Sequence, residues 1–148
     1  MKKNIVIDDF GRTPNVSLNI LKIINDIAYI SEVSVMMGFV TKDLHTKLIN
    51  TKVRTSLHLN LTDNVYFPDI SKKNLTFIKL LFLPKKKREF VFKEIDNQIN
   101  KYQEIYNLDK IIINGHEHVH SIPWIYEYLY KNTKIKNIRY NNEKLAFI

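Results

Sequence analysis

Short apolar runs alternate along this chain with longer stretches in which apolar residues recur every three or four positions. Ile5-Val6-Ile7 is a β-branched run of the kind that fills a buried strand. Pro14 suits the first turn of a helix, and Val16, Ile20, Ile23, Ile24 and Ile27 then keep helical spacing. Ser34 to Gly38 predicts a second strand, and Thr41 to His45 opens a weaker second helix. Ser56 to Thr62 alternates strictly, with Leu57, Leu59 and Leu61 on one side and His58 and Asn60 on the other. Residues 63–88 are irregular, punctuated by Pro68, Asn74 and Pro84. Their Leu75, Phe77, Ile78, Leu80, Leu81 and Phe82 are too apolar for a free linker, which predicts a covering loop with one short helix or extended piece. Val91, Ile95, Ile99, Tyr102 and Tyr106 form the stripe of a long helix over 89–107. Ile111 to Ile113 is a fourth strand, Ile122 to Tyr130 a further helix and Lys134 to Tyr140 a fifth strand.

Strands alternating with helices predict a parallel sheet with crossover helices. No repeat or linker divides the chain, and 148 residues suit one domain. In such folds ligands gather at the C-terminal ends of the strands. The chemistry-bearing residues fall there. Asp8 and Asp9 follow the first strand, His58 lies late in the third, and His116, His118 and His120 follow the fourth.

Composition narrows the chemistry. There is no cysteine, so disulfides and thiolate metal sites are excluded. A metal here has to use His, Asp, Glu or water. The formal charge of +8 could favour anionic partners, yet the lysines are mostly scattered and no nucleic-acid-binding module is recognisable, so no nucleic-acid partner is expected. The exception is Lys85-Lys86-Lys87-Arg88, read as a solvated loop before a helix, with a phosphate- or lipid-facing role as the alternative. Lys2 and Lys3 precede no long apolar stretch, so the N-terminus is not a signal peptide. No run approaches the ~18 apolar residues of a membrane span. A cytoplasmic protein with no integral membrane segment is expected.

Residues 114–123, Asn-Gly-His-Glu-His-Val-His-Ser-Ile-Pro, hold three of the five histidines at alternate positions. If the segment stays extended, the three imidazoles share one face of a strand end. Neutral imidazole is the commonest metal ligand. Two adjacent carboxylates at the end of an apolar strand fit either a turn with a helix cap or a metal ligand beside a general base. His45 stands alone and is expected to be a surface or half-buried structural histidine. Three ligands with open positions describe a catalytic metal site better than a closed structural one.

Three stretches together resemble the YdjC-like carbohydrate deacetylases: Ile5-Val6-Ile7-Asp8-Asp9-Phe10-Gly11, His58-Leu59-Asn60-Leu61-Thr62, and Gly115-His116-Glu117-His118-Val119-His120-Ser121-Ile122-Pro123. Their order and spacing carry the resemblance over nearly the whole chain. It implies an incomplete distorted (β/α) barrel of about five parallel strands with crossover helices, shortened at its C-terminal part. It implies a divalent metal ion, magnesium or zinc foremost, held by Asp9, His58 and His116. Asp8 becomes the general base; His118 and His120 line the pocket, orient ligands or supply the acid that an amide hydrolysis needs. The substrate implied is an N-acetylated sugar or oligosaccharide. Asn114 stands where the family usually carries an acid, Ser56 where glycine is common, and Ile138 to Glu143 resemble its fifth-strand Arg region. Five strands do not close a barrel, so a second copy of the chain is expected to complete it. Another metal-dependent hydrolase, such as a phosphoesterase, and a catalytically impaired metal- or sugar-binding relative are the competing readings.

Overall fold

A computed structural model describes residues 5–27, 29–38, 41–63 and 75–139. Five strands are joined in sequence: β1 (Ile5–Phe10), β2 (Ile30–Val35), β3 (Arg54–Leu59), β4 (Ile111–Gly115) and β5 (Ile135–Ile138). All pairings are parallel, in the spatial order β1-β2-β3-β4-β5. Helices α1 (Pro14–Asp26), α2 (Lys42–Asn50), α3 (Phe77–Leu81), α4 (Lys85–Tyr106) and α5 (Pro123–Lys131) lie between them. The predicted α/β fold of five parallel strands is therefore present, and the sheet is not closed into a barrel. Residues 64–74 of the irregular stretch, and residues 140–148, lie outside the described residues. Among the described residues no helix is long and apolar enough to cross a membrane.

The strand alternation sorts the sheet into two faces. Val33, Val35, Leu57, Leu59, Ile111 and Ile113 are buried in the core, with Ile20, Leu44, Leu48, Ile95, Ile99 and Ile125 of the helices. Glu32, Ser34, Ser56, His58 and Asn114 alternate with them and are also buried. This second face is polar because it faces the inside of the curl. Arg139, just after β5, donates from Nη2 to Asp8 Oδ1 of β1 at 2.7 Å. On a flat sheet the outer strands of five would stand roughly 19 Å apart, so only strong curvature permits that contact.

Several boundaries differ from the sequence expectation, β3 for instance spanning Arg54–Leu59 instead of Ser56 to Thr62, and two of the differences matter for the site and surface. β2 begins at Ile30 rather than Ser34, which places the buried Glu32 inside the strand. α4 begins at Lys85, so the basic run forms its first turn instead of a loop before it. Thr13, Thr41 and Thr76 cap α1, α2 and α3 by accepting from the amides of Val16, Leu44 and Lys79.

His45 has a structural place, as its isolation suggested, but it is buried instead of lying at or half below the surface. It is 4% exposed, tilted against Phe10, and its Nδ1 is 2.9 Å from the Tyr106 hydroxyl. Burial, helped by Lys101, pushes its pKa down to about 4. An unfolded histidine titrates near 6.5, so between these values the unfolded chain takes up a proton that the folded chain refuses. Stability is therefore full above about pH 6.5 and falls as the pH drops towards 4. Going from pH 7 to pH 5 is expected to cost about 2 kcal/mol through this residue, read as a lower urea midpoint. His45→Phe should flatten that part of the pH slope whatever it does to stability at pH 7. An unchanged slope would show that the proton goes elsewhere.

Candidate metal centre

β1 does not end as a regular strand. Its register with β2 slips between Ile7 and Phe10, and Asp9 has a left-handed backbone, φ 69°. Aspartate tolerates that conformation better than most residues. In a regular strand Asp8 and Asp9 would point to opposite faces. The bulge brings both towards His58: Asp9 Oδ1 is 3.2 Å from Nε2, and Asp8 Oδ1 is 4.0 Å from Nδ1.

His116 closes the group, with Nδ1 3.2 Å from the same Asp9 Oδ1. Asp9, His58 and His116 offer ligand atoms that all lie within 4.8 Å of one another. The His58 and His116 rings meet edge to face, their centroids 5.6 Å apart. When their rings carry the extra proton, His116 first and then His58 hold the Asp9 carboxyl well below the usual carboxylate range; Asp9 in turn raises His116.

His58 arrives with its tautomer set. Its Nδ1 donates to Asn114 Oδ1 at 2.8 Å, which leaves the Nε2 lone pair facing Asp9. The amide orientation of Asn114 is fixed on three sides. Ser34 Oγ also donates to Oδ1, at 2.6 Å, Ser56 Oγ donates in turn to Ser34 Oγ, at 3.3 Å, and Asn114 Nδ2 donates to Asp8 Oδ1, at 3.2 Å. An amide can thus serve both His58 and Asp8, which an acid at position 114 could do only if protonated.

Asp9 Oδ1 is buried yet accepts no aligned hydrogen bond, although two ring nitrogens stand 3.2 Å away. A lone pair and a carboxylate oxygen converging without a shared proton suit a cation between them. Two imidazoles and one carboxylate are a donor set for zinc and for other divalent ions that accept nitrogen and oxygen. The residues present fit a divalent metal ion.

The remaining histidines fall elsewhere. After β4 the chain enters a 3-10 turn, His116–Ser121, in which Glu117 and His118 are both left-handed. The expected extended ladder of His116, His118 and His120 on one face is therefore not formed, because two successive left-handed residues coil the backbone. His118 is exposed, and its carbonyl accepts from Ser121 Oγ at 2.8 Å. His120 is 5% exposed, and burial pushes its pKa down to about 4. Its ring lies against Gly115, where a Cβ would come within 2.9 Å of both His120 Nδ1 and Val119 Cγ2. That close approach explains the glycine before His116.

Several site residues carry no signal in the local pattern. Arg12, at the start of α1's approach, donates from Nε to Asp63 Oδ2 at 2.7 Å and lies 3.6 Å from Asp9 Oδ2. Asp63 Oδ2 is 3.9 Å from His116 Nε2. Gln98 of α4 anchors the loop that carries Asp63: it donates from Nε2 to the Asn60 carbonyl at 2.7 Å and accepts from the Asn60 amide at 3.1 Å. Buried Glu32 pairs with Arg54 at 2.7 Å and with Arg139 at 3.6 Å, behind Asp8.

No curated protein matches the chain. A family model described as YdjC-like protein matches residues 5–146, nearly its full length, and the Asp-Asp bulge, the strand histidine and the His-Glu-His turn all lie within that match. The chain belongs to the YdjC-like family.

Proposed function

We propose that this chain is a metal-dependent hydrolase that removes the acetyl group from an N-acetylated sugar or oligosaccharide. The family is associated with carbohydrate deacetylase-type function. The observation that carries the reading is the second carboxylate. Asp8 stands beside the Asp9, His58 and His116 group but outside it, half exposed, with Arg139 and Asn114 donating to one of its oxygens. A site that only bound a metal or a sugar would need no such group.

A divalent ion held by Asp9, His58 and His116, magnesium or zinc foremost, would polarise a carbonyl and make bound water acidic. Asp8 accepts the proton from the attacking water, because its carboxylate is held in place and its second oxygen takes no hydrogen bond from the described residues. The nitrogen leaving group needs a proton in return. We assign that donation to the exposed His118 rather than to His120, which burial keeps neutral. His120 instead holds the turn against Gly115. We place the activity in the cytoplasm, with a second copy over the β5 edge. There, among the described residues, a groove of about 200 Å³ is lined by Tyr126, Tyr130, Ile135 and Ile138 among others.

Purified protein incubated with a panel of N-acetylated mono- and oligosaccharides is expected to release acetate, to stop after chelation and to recover with a divalent ion. No acetate from any sugar, with metal bound in full, would rule the reading out. Release of phosphate from phosphate esters in its place would move the same residues to phosphoesterase chemistry.

A further inference from the structure

The corner between α3 and α4 is unlike the rest of the described surface. Leu75, Leu80 and Leu83 fix it to the core, and Trp124 Nε1 donates to the Leu80 carbonyl at 3.2 Å. Outward stand Ile78 and Phe82, 68% and 76% exposed, one helical turn apart and joined by the Phe82 amide donating to the Ile78 carbonyl. Four exposed lysines accompany them: Lys79 from α3 and Lys85, Lys86 and Lys87 from the first turn of α4. None of the four has a carboxylate partner among the described residues. Arg88 behaves differently. It donates to the Leu83 carbonyl at 3.0 Å and lies 4.9 Å over the Trp124 ring, so it braces the corner from inside.

The three lysines also work against their own helix. They crowd the positive end of the macrodipole, with no acid in that turn and no side-chain cap on Pro84. A protruding apolar pair ringed by unpaired lysines is the pattern of a surface that enters a lipid headgroup layer. Lysine stems can lie along the apolar boundary while their ammonium groups meet phosphates. Protein interfaces tend instead to exclude lysine and to favour arginine and several aromatics. Single-stranded nucleic acid would ask for successive stacking rings, and this corner exposes one.

We propose that the α3–α4 corner docks the protein on the surface of an anionic phospholipid bilayer, with Ile78 and Phe82 in the headgroup layer and Lys79, Lys85, Lys86 and Lys87 on lipid phosphates. α3 packs against the 3-10 turn that begins with His116, so the docked corner adjoins the metal centre without including any of its residues. The test is sedimentation of the full chain with vesicles of phosphatidylcholine, alone or mixed with phosphatidylglycerol. Binding is expected on the mixed vesicles, weak on the neutral ones, and reduced by salt. At roughly fivefold per lysine near an anionic surface, Lys85→Gln, Lys86→Gln and Lys87→Gln together should weaken partitioning about a hundredfold. Phe82→Ser with Ile78→Ser should also release the protein, and because these side chains point away from the core, unchanged thermal unfolding of both variants checks the fold. The proposal fails if the wild type ignores anionic vesicles, if the triple variant binds them as the wild type does, or if the corner's lysines serve RNA binding in their stead.

Discussion

His116→Ala is expected to abolish stoichiometric binding of a divalent ion while the protein stays folded. The two histidines of the centre differ in what else they support. His58 is buried and hydrogen-bonded to Asn114, so its removal leaves Asn114 Oδ1 short of a donor inside the protein. His116 has a side chain 12% exposed and lies at the rim, after the last residue of β4. Its loss therefore touches the ligand set more than the core. Removing a partner that merely orients a ligand typically costs 10–100-fold in metal affinity. Removing a ligand should cost more than about 100-fold, and Asn114→Ala should fall within the smaller range by freeing the His58 ring. Titration with zinc or magnesium, followed by elemental analysis after gel filtration, reads both. Equal affinity in wild type and His116→Ala would take His116 out of the centre.

Much of this candidate centre is legible in the sequence, for a physical reason. Apolar β-branched runs place strand ends well, and polar residues at those ends stand out against them. Asp8, Asp9, His58 and His116 were found that way, and the resemblance then separated them into roles. What periodicity could not show was how the strand ends are bent. The left-handed Asp9 turns two neighbouring carboxylates towards one histidine, and left-handed Glu117 and His118 break the alternation that put three histidines on one face. Backbone of that kind depends on what surrounds it, and the alternating pattern of side chains gives no sign of it. Glu32 was missed because the sequence pattern began the strand at Ser34, two residues later. The basic run at Lys85 has no apolar stripe to mark it as helix, and the longer helix tolerates its lysines although they oppose the dipole. Asn114 and Arg139 were visible as a departure from the family pattern and as a match to its arginine region. Their joint hold on Asp8 required the curl of the sheet, which no local signal encodes.

That hold underlies the other large effect. Asp8→Asn is expected to leave divalent-ion binding within a few-fold of wild type and to lower acetate release by roughly 10²–10⁴, the usual contribution of a positioned general base. The substitution is close to isosteric. An asparagine oxygen at this position can still accept from Arg139 Nη2 and Asn114 Nδ2, so the surrounding bonds are kept and only the capacity to take a proton is lost. Asp9→Asn is the control with the opposite signature. Asp9 Oδ1 faces both His58 Nε2 and His116 Nδ1, so removing its charge should weaken the ion first and activity only as a consequence. High metal concentration should therefore restore activity to Asp9→Asn and not to Asp8→Asn. The two carboxylates are neighbours in sequence, and this split in rescue is what separates a base from a ligand. If excess metal rescues both variants, Asp8 acts by holding the ion, and the proton must leave the attacking water by another route.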